Sequence, residues 1–242
     1  SSIIKPSAFM NTKLWTGTGS AMNITGVGFQ PDMTWIKPRS VVDNHILYDS
    51  VRGVASRLIP NLNSLVGAVS DMVTSFNSDG VSLGTNGNVT ANNVTFVGWN
   101  WKGNGTGSAN TNGSINSTVS VNTTSGFSIV KYSANNTAGA TVGHGLGVIP
   151  KMIIVKELTG SVNDWVVYHA SVGNTKKLIL NESSAEGIDN FMNDTTPTVD
   201  VFSISDASVV NRSGSTYIAY CFAEKQGYSQ FRSYTGNGNT DG

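Results

Sequence analysis

The chain carries one sequence pattern twice. Residues 28–37 (GFQPDMTWIK) return as residues 147–156 (GVIPKMIIVK), and the prolines and the final lysines of the two blocks both lie 119 positions apart (150 − 31 and 156 − 37). Residues 95–102 (TFVGWNWK) match residues 216–223 (TYIAYCFA) at a distance of 121 positions. Chance similarity does not preserve both order and spacing, so the pattern indicates a duplicated structural unit.

Each copy is about as long as an ordinary protein domain, so each can bury a core of its own. Residues 102–113 are rich in Gly, Asn and Ser and are the best linker in the chain. We therefore predict a first β unit at residues 1–108 and a second at residues 109–230. Residues 231–242 include the sequence SYTGNG, which is similar to the WTGTG block of the first copy. We predict a terminal strand there that resembles the start of a third copy.

Short β-branched and aromatic runs alternate with Gly and Asn turn signals along the chain, which is typical of a sandwich or a barrel. Residues 75–84 predict one hairpin, in which Asp79 and Gly80 form the turn. Residues 54–65 and 176–188 are weak helical candidates, which we interpret as loops. The fold class that we predict is all-β, with two tandem antiparallel β-sandwich repeats of jelly-roll-like form.

Charged residues are scarce and balanced: they make up 12% of the chain, with 15 basic and 15 acidic side chains. A chain without net charge has no long-range field that attracts nucleic acid or an anionic membrane, so we expect neither partner. The apolar runs are too short to cross a bilayer, and we predict no membrane span. Cys221 stands alone in an alternating apolar segment, which excludes an internal disulfide and predicts a buried thiol.

Known motifs for metal binding and catalysis are absent from the sequence. No histidine has a second His or Cys at ligand spacing, and His144 lies in a glycine-rich stretch that we interpret as a loop leading into a strand. Asn77-Ser-Asp79-Gly80 is similar to the start of a calcium loop, but Asn88 stands where such a loop requires Glu, so we favour a β-turn. The carboxylates are scattered and no Gly-x-Ser-x-Gly elbow occurs. We therefore predict a protein that is not an enzyme, with no catalytic residue, no cofactor and no metal site.

Aromatic residues indicate where a glycan or a partner could bind. The two tryptophans of residues 99–101 alternate along one strand, and the second copy keeps aromatic residues at these positions, which favours a core layer. Trp165 has His45 as its counterpart, so no shared core role is implied. It follows Asn163 and Asp164, and flat aromatic faces beside polar side chains suit sugar rings. We predict Trp165, Asn163 and Asp164 as a glycan or partner contact.

Six blocks in fixed order cover nearly the whole chain: residues 28–37, 49–53, 75–80, 99–102, 143–147 and 217–224. Together they resemble an uncharacterised repeat domain of virion structural proteins from tailed phages, especially marine ones. The resemblance implies a tail-fibre or virion-surface module, and it transfers no catalytic or binding residue. Because that family usually continues past the SYTGNG block, we expect the chain to be a fragment, a processed product or a truncated relative.

From these observations we expect a non-enzymatic virion structural protein on the particle surface, a tail-fibre or virion-surface component involved in assembly and host-surface adhesion. The expected partners are other virion proteins, further copies of the chain in a homo-oligomer such as a trimer, and a host-surface glycan. A capsid decoration protein and a free glycan-binding, lectin-like module are the alternatives, and a polysaccharide depolymerase is the least favoured. The sequence leaves the tail and capsid locations open.

Overall fold

A computed structural model describes residues 5–239 as an all-β protein with several antiparallel sheets. A 3-10 turn at Pro6–Ala8 precedes the first-half strands, which are β1 (Met10–Thr16), β2 (Met22–Ile24), β3 (Met33–Pro38), β4 (Ile46–Asp49), β5 (Gly53–Leu58), β6 (Gly67–Ala68), β7 (Val73–Asn77), β8 (Gly80–Leu83) and β9 (Thr95–Trp101). The second-half strands are β10 (Ser108–Asn110), β11 (Ser117–Asn122), β12 (Phe127–Ser133), β13 (Ala140–Gly143), β14 (Met152–Glu157), β15 (Val166–His169), β16 (Gly173–Ile179), β17 (Gly187–Ile188), β18 (Val201–Ile204) and β19 (Thr216–Phe222). Two single-turn helices are α1 (Gly87–Thr90) and α2 (Ser208–Asn211).

The large sheets of the two halves share one strand order. The first-half sheet runs β1-β9-β3-β4-β5-β6, and the second-half sheet contains the corresponding order β12-β19-β14-β15-β16-β17. Matching strands keep the sequence offsets, since β1 and β12 start 117 positions apart, β3 and β14 119, and β9 and β19 121 (127 − 10, 152 − 33 and 216 − 95). The second half adds β10 and β11 beyond β12. The strand order of the large sheet therefore repeats, as the duplicated blocks predict.

A smaller sheet covers one face of each large sheet. In the first half β2, β8 and β7 form it, and in the second half β13 and β18 form it. The first core joins Tyr48 and Phe96 of the large sheet to Val81 of the small one, and the second joins Tyr217 to Phe202 in the same way. All five side chains are almost completely buried. Each half thus has sandwich character, with its apolar core between two sheets.

The segments proposed as weak helical candidates, residues 54–65 and 176–188, do not form helices. The structure places strand β5 at Gly53–Leu58 and strand β16 at Gly173–Ile179, where they pair with β4 and β15. Three of the four residues of β4 and three of the four residues of β15 are apolar and buried. The polar segments β5 and β16 find their backbone hydrogen-bond partners on these buried strands. The loop interpretation holds for residues 59–65 and 180–186, and it is wrong for the residues that form β5, β16 and β17.

The predicted terminal strand does not form over residues 231–239, which contain no strand, and residues 240–242 lie outside the described part of the chain. The preceding residues make a turn, in which the Ser229 hydroxyl donates to the carbonyl of Ala223 at 3.0 Å. Phe231 then packs against Phe222 of β19, with ring centroids 6.4 Å apart. This segment therefore folds back onto the end of the large sheet and does not pair with a sheet edge.

Within residues 5–239, no helix is long and apolar enough to cross a membrane, because α1 and α2 span four residues each.

An apolar site between the two halves

The two large sheets face each other across a third apolar core. Its buried members are Met33, Leu47 and Leu58 from the first half and Phe127, Ile129, Ile154, Leu158, Trp165, Val167, Ile218 and Tyr220 from the second. Each large sheet is therefore covered on both faces, by its own small sheet on one side and by the other half on the opposite side. The apolar run Ile153-Ile154-Val155 shows this directly, since Ile153 and Val155 belong to the second-half core and Ile154 to the core between the halves.

A buried ionic group lies inside this contact. The hydroxyl of Tyr220 donates to Oδ2 of Asp49 at 2.7 Å, and Nε of Arg52 donates to the same oxygen at 2.5 Å. The side chains of Arg52 and Asp49 are 3% and 0% exposed. Burial, followed by the neighbouring Asp49 carboxylate, raises the pKa of Tyr220 well above its usual value, so this hydroxyl stays protonated and donates. Arg52 and Tyr220 together satisfy a carboxylate that would otherwise be costly to bury.

A second set of polar contacts joins strand β14 and the start of β15 to a loop of the first half. Nζ of Lys156 donates to the carbonyls of Asn63 at 2.9 Å and Asn163 at 2.5 Å. The indole Nε1 of Trp165 donates to the carbonyl of Leu62 at 3.0 Å. Lys156 is 0% exposed, and this burial lowers its pKa to about 8. The contact between the halves therefore includes an ammonium group whose charge is held by backbone carbonyls.

The structure corrects the prediction that Trp165 is an exposed contact residue. Trp165 is 0% exposed and packs in the core between the halves, with its ring stacked on Tyr220 at a centroid distance of 6.5 Å. The amide of Asn163 donates to the Glu157 carboxylate and, at 3.3 Å, to the carbonyl of Ser208. Oδ1 of Asp164 accepts from Asn181 at 2.8 Å. The three predicted site residues therefore lie near one another, but their polar groups and the indole ring are engaged within the protein.

One local motif recurs at the same place in both halves. The backbone N–H of His45 donates to Oδ1 of Asn61 at 2.9 Å, and that of Trp165 donates to Oδ1 of Asn181 at 2.9 Å. Both pairs are separated by 16 residues, and the two motifs lie 120 positions apart (165 − 45 and 181 − 61). His45 and Trp165 therefore occupy matching backbone positions, although only the tryptophan inserts between the halves.

An apolar cavity of about 390 Å³ lies within this contact region. Its walls include two matched rows of neighbouring strand residues, which are Met10, Trp101 and Met33 from the first half and Phe127, Phe222 and Met152 from the second. Corresponding members of the rows keep the offsets of the duplicated strands. Residues at corresponding positions on corresponding strands of the two large sheets therefore line the cavity.

Residues after β19 form a further wall of the cavity. Tyr228, Ser229 and Phe231 line it, and Tyr228 packs edge-on against Phe9 with ring centroids 6.3 Å apart. The backbone N–H of Phe231 donates to the carboxylate of Glu224 at 3.2 Å. Phe231, the first residue of the segment predicted as a third-copy strand, thus helps to enclose a site between the first two copies.

Sequence reasoning did not find this cavity, although two signals point toward it. Large apolar residues recur at matching positions, such as Met33 with Met152 and Trp101 with Phe222. Strands β3 and β14 are also apolar on both faces, which indicates sheets covered on both sides. What the sequence does not show is how the two covered faces meet.

Two residues with reactive side chains, His144 and Cys221, lie in the protein interior. His144 is buried, its Nδ1 accepts from the N–H of Leu146 at 3.2 Å, and its Nε2 lies 3.2 Å from the carbonyl of Thr198. Such a ring is neutral, and burial lowers its pKa. Cys221 is buried and free, as predicted, and burial raises its pKa to about 12. Among residues 5–239, no three His, Cys, Asp or Glu side chains are grouped closely enough to hold a metal ion.

Comparison with known proteins places the chain in a family. A family model described as "Domain of unknown function (DUF7483)" matches residues 5–242. Neither a curated protein nor a solved structure matches the chain. Because the family model covers almost the full length, the chain belongs to the DUF7483 family.

Proposed function

We propose that this chain is a non-enzymatic virion structural protein, a tail-fibre or virion-surface component that takes part in assembly and host-surface adhesion. The resemblance of its repeated blocks to tailed-phage virion repeats supports the virion location. The low charge supports recognition through shape and hydrogen bonding. We also propose that each half is a jelly-roll-like sandwich. A jelly roll consists of two packed sheets. In the first half the pair β1–β9 lies in the large sheet and the pair β2–β8 in the small one, and in the second half β12–β19 and β13–β18 are arranged in the same way.

One observation carries the assembly part of this proposal: the matching strands β1 and β12 have different neighbours. Strand β12 lies between β19 and β11, and β11 pairs with it along its length from Ser117↔Tyr132 to Asn122↔Phe127. Within residues 5–239, β1 ends its sheet next to β9. An open edge of seven residues offers a row of backbone donors and acceptors to a further strand. We propose that a strand of a neighbouring chain in the virion pairs with β1 as β11 pairs with β12.

The hydrogen bonds at the two ends of β1 show which residues face this edge. The N–H of Lys102 donates to the carbonyl of Phe9 at 2.8 Å, and the N–H of Gly17 donates to the carbonyl of Val94 at 2.8 Å. Bonded pairs alternate in an antiparallel ladder, so the odd-numbered residues of β1 bond to β9 and the even-numbered residues point outward. Leu14 is one of the residues whose backbone N–H and C=O groups point to this edge, and it is 60% exposed.

Leu14→Pro tests the assembly proposal directly. Proline removes an outward N–H and leaves the ladder with β9 intact. Leu14→Thr is the matched control, because it changes the side chain and keeps the N–H. We expect phage carrying Leu14→Pro to incorporate much less of the protein into purified particles, and Leu14→Thr to incorporate a normal amount. Equal incorporation of the two variants would contradict the use of this edge.

Antibody labelling of intact particles tests the location. Gold label on the tail supports a fibre component, whereas label spread over the shell supports the capsid decoration alternative. Absence of the protein from purified particles would overturn the virion proposal. The free lectin alternative loses its named contact residue, because Trp165 is buried.

A further inference from the structure

We propose that the cavity between the two halves binds an uncharged, apolar small molecule. Its volume of about 390 Å³ falls within the range of small-molecule sites, roughly 300–1,000 Å³. An apolar cavity of about 150 Å³ is large enough to take up benzene. The present cavity has about two to three times the volume of that cavity, so it can hold a molecule larger than benzene. This inference goes beyond virion assembly, since it concerns neither the β1 edge nor a neighbouring chain.

The lining determines the class of ligand. None of the lining residues that the structure describes is charged. Most polar side chains among them already bond to the protein: Ser125 and Ser229 donate to backbone carbonyls, the Tyr220 hydroxyl donates to Asp49, and the indoles of Trp35 and Trp165 donate to His45 and Leu62. The Trp101 indole and the Tyr228 hydroxyl are the remaining polar groups of the lining, and neither is charged. A charged ligand would therefore lose its hydration without a counter-charge. The site selects a neutral alkyl chain or ring system that has few polar atoms.

The matched rows explain how such a molecule is held. Aromatic rings at Trp101, Phe127 and Phe222 provide flat apolar faces from both sheets, and Phe127 and Phe222 already pack at a centroid distance of 5.1 Å. Met10 and Met152 stand at the ends of the rows, where unbranched thioether side chains adapt to the outline of a ligand. Both halves contribute to the walls, so the site exists only while the halves are packed together.

Titration with N-phenyl-1-naphthylamine, an uncharged fluorescent probe, tests the proposal on the full chain. We expect its emission to rise and saturate at one molecule per chain, with energy transfer from the tryptophans, because Trp35, Trp101 and Trp165 line the cavity. Dodecanol should displace the probe, and dodecylammonium should need at least about tenfold higher concentration, equivalent to about 1.4 kcal/mol. Equal displacement by the two competitors would overturn the assignment to uncharged ligands.

Cavity-filling variants locate the probe. Met152→Trp places a larger ring in the cavity, and we expect it to weaken binding at least about tenfold. Leu14→Trp adds the same ring on an exposed part of β1 and should leave the affinity unchanged. If circular dichroism shows that Met152→Trp does not fold, Met10→Trp fills the cavity from the opposite row. No saturable binding, or normal binding to a folded cavity-filled variant, would overturn the site.

Discussion

Tyr220 and Asp49 are 171 residues apart in the chain, and the tyrosine hydroxyl donates to the aspartate carboxylate over 2.7 Å in the buried contact between the two halves. Asp49 belongs to the first half, where it also pairs with Arg52. The matching position of the second half is His169, so this ionic group was not kept in both copies. The two large sheets are therefore similar, and residues that differ at matching positions form the polar contact between them.

Tyr220→Phe removes this hydroxyl and leaves the ring in place. A hydrogen bond to a charged group contributes about 1.5–3 kcal/mol, so we expect the free energy of unfolding to fall by about that amount. Tyr48→Phe is the matched control, because the buried hydroxyl of Tyr48 donates to a neutral carbonyl, that of Val69, at 2.9 Å. We expect it to cost about 0.5–1.5 kcal/mol. Urea denaturation followed by fluorescence measures both, and a smaller loss for Tyr220→Phe than for Tyr48→Phe would contradict the role of the buried carboxylate.

Lys156 predicts a pH dependence with a definite sign. Burial lowers its pKa in the folded protein from 10.5 to about 8, so between these values the unfolded chain binds more protons than the folded one. The contribution of Lys156 to the free energy of unfolding therefore rises as the pH increases from about 8 to 10.5. The penalty of the buried charge is fully present below pH 8.

The measurement compares the wild type with Lys156→Met from pH 7 to pH 10. Cys221 and the tyrosines titrate in both proteins, so the difference in unfolding free energy isolates Lys156. We expect this difference to shift in favour of the wild type as the pH rises. Lys176→Met serves as a control, because Lys176 is 39% exposed on the surface. A difference that stays constant for Lys156→Met would contradict the lowered pKa.

Local features of the fold could be predicted from the sequence because neighbouring residues determine them. The hairpin over residues 75–84 is confirmed as β7 and β8, with its turn before Gly80. Gly80 has a φ of +150°, and a Cβ there would lie 1.9 Å from the carbonyl oxygen of Ile24, so the structure requires glycine. The duplicated blocks likewise predicted the repeated strand order, because they mark the same strands in both copies.

The contact between the halves could not be predicted, because it depends on residues far apart in the chain. Trp165 follows two polar residues in a pattern that suits an exposed strand start, yet its indole reaches the carbonyl of Leu62, 103 residues away. Nothing local distinguishes these two situations. The strands at residues 53–58 and 173–179 were missed for the same reason, since pairing with β4 and β15 stabilises them.

Cys221 should be unreactive in the folded protein. It is completely buried, and burial raises its pKa to about 12, so almost no thiolate forms at pH 8. We expect 5,5′-dithiobis(2-nitrobenzoic acid) to leave the native chain unmodified and to label one thiol per chain in guanidinium chloride. Rapid labelling under native conditions would show that β19, which lies at the centre of the second sheet, opens readily.

Hydrogen exchange should distinguish β1 from its counterpart β12 in the isolated chain. The bonds from the N–H of Ala134 to Ser215 and from the N–H of Ala223 to Gly126 show that the even-numbered residues of β12 bond to β19. The odd-numbered residues therefore bond to β11, and the amides of Ile129 and Lys131 lie opposite Ser120 and Thr118.

Thr12 and Leu14 lie at the matching positions of β1, 117 residues earlier, and their amides face the outer edge. The Thr12 amide bonds there only locally, to Oδ1 of Asn11 at 2.9 Å. We expect these two amides to exchange much faster than those of Ile129 and Lys131, because exchange there requires no opening of a strand pair. In assembled particles, pairing with a neighbouring strand should slow the exchange of Thr12 and Leu14. Rapid exchange of both amides in particles that contain the protein would show that the β1 edge stays unpaired and that assembly uses another surface.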